Sequence, residues 1–189
     1  MSIVLRTPMT VEAFLAWEER QALRFEFDGF QPVAMVGVTL AHSTIQANLI
    51  MALGSRLRGG PCRVHGSDLK IRAADSIRYP DVFVRCGPAS ATATVVADPV
   101  VVCEILSPST STTDHSVKNA EYRATPSIRR YVMLEQSKQA ATVFERQGDD
   151  WVGHLHISDI DLVMPEIGVS VPLAELYDGV DFPPEDSPG

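Results

Sequence analysis

The apolar run Val100-Val101-Val102-Cys103-Glu104-Ile105-Leu106 contains a single acid. An ionised carboxylate inside a buried strand is costly unless it is paired or bound to a cation, so Glu104 calls for a chemical explanation. Asp81 poses the same question: it follows Pro80 and opens the apolar stretch Val82-Phe83-Val84. One acid entering a strand and one inside another can converge at a sheet edge and hold a hard cation such as Mg²⁺ through oxygen ligands. Further along, Asp114, Lys118 and Tyr122 recur every fourth residue. On a helix this spacing puts them on one face and lets Lys118 point toward the strand ends. Each residue also has a plain reading: Asp81 as a turn residue, Glu104 as half of a buried ion pair, and Lys118 as the i+4 partner of Asp114 on a solvated helix.

The surrounding elements must place these side chains. Thr10 can cap a helix in which Val11, Phe14, Leu15 and Trp17 form one stripe while Glu12, Glu18, Glu19 and Arg20 stay wet. From Leu23 to Phe30 apolar and charged residues alternate and end in Asp28-Gly29, a hairpin signal that puts Glu26 on a strand. Ile45, Leu49, Leu53 and Leu57 predict a helix from about Leu40 to Leu57, stopped by Gly59-Gly60. Strands are expected over Cys62 to His65, Leu69 to Arg72, Val82 to Cys86 and Val100 to Leu106, the last buried on both faces. A Ser/Thr/Pro loop, Ser107 to Thr113, suits capping of the next helix, Asp114 to Ala124, which Pro126 ends. Arg130 to Glu135, Ala141 to Arg146 and Trp151 to Ile157 read as further strands, and the apolar stretch Val169 to Tyr177 closes the domain. Strands and helices interleave with no internal repeat, which predicts an α/β fold with a mixed central sheet flanked by helices.

At 189 residues, 45% hydrophobic and 21% charged, the chain suits one globular domain rather than a disordered or fibrous protein. We expect residues 1–180 to form that domain and the Pro- and acid-rich residues 181–189 to form a flexible tail. The formal charge of −8 argues against a general DNA-coating protein, because a backbone-gripping surface must gather positive charge against that field. Acids concentrated in a metal site escape this objection, since the cation reverses the local field. Cys62, Cys86 and Cys103 have no paired spacing and read as reduced core residues. No signal peptide or membrane-length apolar run is present, so a cytoplasmic location with no membrane partner is expected. His154 and His156 alternate on a strand with no acid nearby in sequence, and read as solvent-facing rather than as a metal pair. No glycine-rich nucleotide loop, nucleophile elbow or zinc-protease motif occurs.

Four strings, taken in order, resemble one family. They are Arg24-Phe25-Glu26-Phe27-Asp28-Gly29; Tyr79-Pro80-Asp81-Val82-Phe83-Val84; Val102-Cys103-Glu104-Ile105-Leu106-Ser107-Pro108-Ser109-Thr110; and Asp114-x-x-x-Lys118-x-x-x-Tyr122. Their order and spacing are similar to the Uma-two family of restriction-endonuclease-like proteins, in the PD-(D/E)XK nuclease superfamily. The resemblance runs from about Met9 to Tyr177, and His42 and Arg130-Tyr131-Val132 also match it. It implies a restriction-endonuclease-like core in which Asp81 and Glu104 bind the metal and Glu26 adds a carboxylate from an earlier element. The usual lysine, two residues after the second acid, is here Leu106; in this family the lysine has moved to the following helix, which selects Lys118. Two departures stand out: Phe30 where an acid is expected after the turn, and Glu135 where the family often has Asp.

Phosphodiester hydrolysis needs an in-line water, charge neutralisation at the phosphate and help for the departing oxygen. Asp81, Glu104 and the backbone carbonyl of Ile105 are the expected ligands for Mg²⁺ or Mn²⁺. Lys118 is expected to orient or activate the water, and His42 and Tyr122 to contact phosphate or support the acids. A positive patch of Arg56, Arg58, Arg63, Lys70 and Arg72 is the candidate phosphate contact. The expected activity is Mg²⁺-dependent DNA endonuclease, acting as a homodimer. The alternatives are a catalytically inactive binding or regulatory protein on the same fold, and a nuclease for RNA or branched nucleic acid.

Overall fold

The computed structural model describes residues 9–35, 37–106, 114–157 and 160–182. The Ser107 to Thr113 loop and most of the 181–189 tail lie outside them. The elements run α1 (Val11–Glu18), β1 (Phe25–Phe27), β2 (Pro32–Ala34), α2 (Leu40–Leu57), β3 (Cys62–Gly66), β4 (Lys70–Ala73), β5 (Ser76–Arg78), β6 (Val82–Cys86), β7 (Val95–Val96) and β8 (Pro99–Leu106). A π-helical turn (Asp114–Lys118) leads into α3 (Asn119–Ala124), followed by β9 (Arg130–Glu135), β10 (Ala140–Gln147), β11 (Asp150–Ile157), β12 (Asp161–Met164), β13 (Val169–Pro172) and α4 (Leu173–Leu176). A six-stranded sheet has the order β11-β10-β9-β8-β6-β3, and a five-stranded sheet the order β2-β1-β5-β4-β7. The fold is mixed α/β, as the interleaved pattern predicts. β8 and β9 run parallel, with α3 in the crossover between them, while β8 and β6 run antiparallel.

Alternation along β8 divides the core. Val101, Cys103 and Ile105 face α2, where Ile45, Leu49, Leu53 and Leu57 meet them together with Val171 and Leu176. Val102 and Leu106 face the other way, onto Ile71, Ala73 and Val96 of the five-stranded sheet and onto Tyr122 of α3. Glu104 shares their side, so the carboxylate enters the space between the two sheets. α1, capped by Thr10 through a 3.1 Å bond from the Ala13 amide, covers the hairpin with Val11 and Phe14 packed on Phe27 and Ile77. The Asp28-Gly29 turn is a four-residue loop in which the Asp28 carboxylate accepts the amides of Phe30 at 2.8 Å and Gln31 at 2.7 Å. Gly29 adopts φ 88°, a value open to glycine at little cost.

The cysteine expectation needs correction. Cys62 and Cys86 sit directly opposite each other on β3 and β6 and form a disulfide, leaving Cys103 as a buried free thiol. No helix among the described residues is long and apolar enough to cross a membrane.

Candidate active site

The site lies where the β6–β8 ladder ends. The pairing runs Val84↔Val101, Phe83↔Val102, Val82↔Cys103. The registered pairs stop there, and Asp81, just outside β6, turns its carboxylate to the Ile105 amide and to His42 of α2. The next position is Pro80, which has no N–H to give to Ile105. The Ile105 amide goes instead to Asp81 Oδ2, at 2.7 Å. A strand residue aims its N–H and C=O to the same side, so the Ile105 carbonyl also points toward Asp81, where proline offers it no donor.

Three elements then hold the acids. From α2, His42 places Nε2 3.1 Å from Asp81 Oδ2, and Gln46 donates to the Asp81 backbone carbonyl at 2.8 Å. His42 is only 5% exposed, and its Nδ1 has no hydrogen-bond partner among the described residues. From α3 the Tyr122 hydroxyl donates to Glu104 Oε1 at 2.7 Å, and from the π-helical turn before it Lys118 Nζ lies 3.1 Å from the same oxygen. From the five-stranded sheet, Glu26 on β1 accepts the Tyr79 amide at 3.0 Å and an Arg78 N–H at 3.2 Å, with Oε1 3.6 Å from Lys118 Nζ. Arg78 in turn forms a two-pronged pair with Glu121 of α3, both contacts at 2.7 Å. Lys118 thus stands between Glu26 and Glu104, and Asp81 is tied to Ile105, the residue after Glu104.

Electrostatics follow from this packing. Burial pushes the Tyr122 hydroxyl well above its ordinary pKa, and the charges of Glu104 and Glu26 add to the effect, so it stays a donor. Burial alone would lower the pKa of Arg78, but its bonds and charge contacts with Glu121 and Glu26 reverse the direction and raise it. Among the described residues three carboxylates (Glu26, Glu104, Glu121) face two cations (Arg78, Lys118), and Asp81 pairs with His42.

No three His, Cys, Asp or Glu side chains among the described residues are grouped as a ready ion cage. The available donors are the Asp81 and Glu104 carboxylates and the Ile105 carbonyl, and a hard cation that keeps several of its own waters needs no more protein ligands than these. Both contacts of Asp81 fall on Oδ2, so its second oxygen has none among the described residues.

Several expectations change. Tyr122 is fully buried against Tyr131 and supports Glu104, so it has no route to a phosphate. The basic patch is not one surface: Arg56 pairs with Glu175, Lys70 is buried against Glu18, and Arg63 bonds the Gly60 and Cys62 carbonyls. Arg58 caps the far end of α2, about 24 Å from His42 at 1.5 Å per residue. His154 does have an acid neighbour, Glu145 at 3.2 Å, and with Glu145, His156, Arg130 and Asp161 it lines a cavity of about 200 Å³ that none of Glu26, Asp81 and Glu104 lines. Asp114, whose side chain is not described, gives no test of an Asp114–Lys118 pair. Arg78, Glu121 and Gln46 were not found from sequence; the signal available was an arginine abutting Tyr-Pro-Asp and a glutamate one turn beyond Lys118.

The sequence model of the Uma2 family, described as "Putative restriction endonuclease", matches residues 11–171. The chain belongs to this family. Among relatives, it is 32% identical to an uncharacterized Synechocystis protein over 178 residues, covering 92% of this chain and 94% of that one. A second uncharacterized Synechocystis protein is 25% identical over 155 residues, covering 79% and 88%. In structure, this Uma2 chain is similar to an Anabaena variabilis protein described as "a putative nuclease belonging to DUF820", with a TM-score of 0.76 and 19% identity over 90% of this chain and 98% of that one. That likeness establishes the restriction-endonuclease-like fold.

Proposed function

We propose that this Uma2 protein is a divalent-metal-dependent endonuclease that hydrolyses phosphodiester bonds of DNA. What supports the reading is Lys118 set between Glu26 and Glu104, with Asp81 bonded to the amide of the residue after Glu104 where the β6–β8 pairing ends. Asp81, Glu104 and the Ile105 carbonyl are the residues to hold Mg²⁺ or Mn²⁺. When bound, such a cation neutralises phosphate charge and lowers the pKa of water. Lys118 is placed to orient the attacking water and to meet charge that develops on the phosphate, a contact strongest in the transition state. Glu26 adds a carboxylate beside the ammonium. His42 and the Ile105 amide fix the Asp81 carboxylate so that it does not reorganise during the reaction. Severing both strands of a duplex calls for two such sites, and so for a homodimer.

The test is cleavage at low salt on duplex DNA, single-stranded DNA and RNA, with Asp81→Ala and Lys118→Ala in parallel. We expect metal-dependent cutting of DNA that Asp81→Ala abolishes and Lys118→Ala slows far more than it weakens metal binding. Equal trace activity in all three proteins would sink the nuclease reading. A binding or regulatory protein on this fold, the reading favoured by the net charge of −8, would then take its place.

A further inference from the structure

Arg78 is 2% exposed and lies at the junction of three elements that the candidate chemistry needs. It sits on β5, faces Glu26 on β1 at 3.2 Å, and forks onto Glu121 on α3 at 2.7 Å through both Nε and a terminal nitrogen. Ser76, two residues earlier on the same strand, donates to the same Glu121 carboxylate at 2.8 Å. Glu121 is three residues beyond Lys118 and adjacent to Tyr122, so this fork fixes the rotation and height of the helix that presents both. That helix needs external support, since a π-helical turn precedes it and no side chain caps its start.

We propose that Arg78 is a positioning residue of the site: through Glu121 it locks the Lys118 helix, and through Glu26 it holds a carboxylate at the height of the Lys118 ammonium. The inference rests on the nuclease reading for its catalytic consequence, but not for its structural one. Arg78 draws Glu26 Oε2 to itself, and the Tyr79 amide holds Oε1 on the side of Lys118. Without Arg78 two half-buried carboxylates, Glu26 and Glu121, would compete for Lys118 and draw it from Glu104. A lysine at position 78 keeps the charge but cannot form the planar two-pronged contact while also reaching Glu26.

The chain provides its own controls, because its only lysines are Lys70, Lys118 and Lys138. Lys138 is exposed, and Lys70 is buried in a pair with Glu18 that does not touch Arg78 or Glu121. The full chain is labelled with acetic anhydride and each lysine followed by mass spectrometry in wild type, Arg78→Lys (whose added lysine is followed separately) and Glu121→Gln. We expect both variants to label Lys118 about tenfold faster while Lys70 and Lys138 keep their wild-type rates, the pattern of a local release. On DNA, kcat should fall on the order of 10- to 100-fold with KM within about threefold, as for a displaced catalytic group. Unchanged labelling of Lys118 in both variants overturns the proposal, and so does equal acceleration at Lys70, which would signal general loosening. If wild type cuts no substrate, the nuclease reading fails while the labelling result still decides the role of Arg78.

Discussion

Tyr122→Phe isolates one bond at the centre of the site. The ring is fully buried and stacks edge-on against Tyr131 at 4.9 Å, and phenylalanine preserves that packing. Only the hydroxyl is lost, with its 2.7 Å bond to Glu104 Oε1, an oxygen that also faces Lys118 at 3.1 Å. A hydrogen bond to a charged acceptor contributes about 1.5–3 kcal/mol, and Glu104, 3% exposed, cannot recover the loss from bulk water. Relief from burying the hydroxyl offsets part of this, so we expect a destabilisation of about 2 kcal/mol. For a chain of this size that lowers Tm by roughly 4–8 °C. Urea unfolding followed by tryptophan fluorescence should show a lower midpoint at unchanged m. In a Glu104→Gln background the same substitution should cost about 1 kcal/mol less, because the acceptor is then neutral. A change within about 0.5 kcal/mol of wild type, or the same cost in both backgrounds, would refute the reasoning.

Metal binding should be visible as stability: saturating Mg²⁺ at about 100 times Kd should stabilise wild type by about 2.7 kcal/mol in thermal melts, and Glu104→Gln should show no shift. Acid should weaken the fold before the carboxylates titrate. Burial, with Arg85 nearby, lowers the pKa of His65, and burial, with His154 and Arg130 nearby, lowers that of His156, each from 6.5. The unfolded chain therefore takes up protons first, so this stability is present above pH 6.5 and lost as pH falls through the lower folded values. His65→Gln/His156→Gln should flatten urea midpoints measured between pH 7 and 5. The protein unfolded without reductant should titrate one thiol, Cys103, and three after reduction. Reduction should lower stability by about 3 kcal/mol, given a closed loop spanning 24 residues; three thiols before reduction would remove the disulfide from the account.

Glu104 and Asp81 were legible because each violates its surroundings, an acid in an apolar strand and an acid at a strand mouth. Lys118 was ambiguous by spacing alone, and the family resemblance selected it over the absent lysine at Leu106. That position is occupied by a residue buried in the core between the sheets, so the strand has no room there for an ammonium. Arg78 could not be found the same way, because an arginine in a short strand looks solvent-facing until its partners, 52 and 43 residues away, are known. The disulfide depends on β3–β6 register, which no local pattern encodes. The acid beside His154 comes from the neighbouring strand, and the expected basic patch failed because charge counted along the chain ignores the acids that fold against it.

The candidate site straddles two sheets, with Glu26 and Arg78 on the five-stranded one and Glu104 on the six-stranded one. The β1–β2 hairpin that carries Glu26 is joined to its own sheet by a single registered pair, Phe27↔Ile77, by the bonds of Glu26 to Tyr79 and Arg78, and by the packing of α1. A native-state opening confined to that hairpin would expose little of the central core and so cost far less than global unfolding. Such a species would retain nearly all its circular dichroism while lacking one of the gathered carboxylates. On gentle heating, activity should therefore disappear ahead of the main melting transition, with amide exchange fastest at Phe25–Phe27. The protein's thermal working range would be set by this small flap rather than by the sheet that gives the fold its stability.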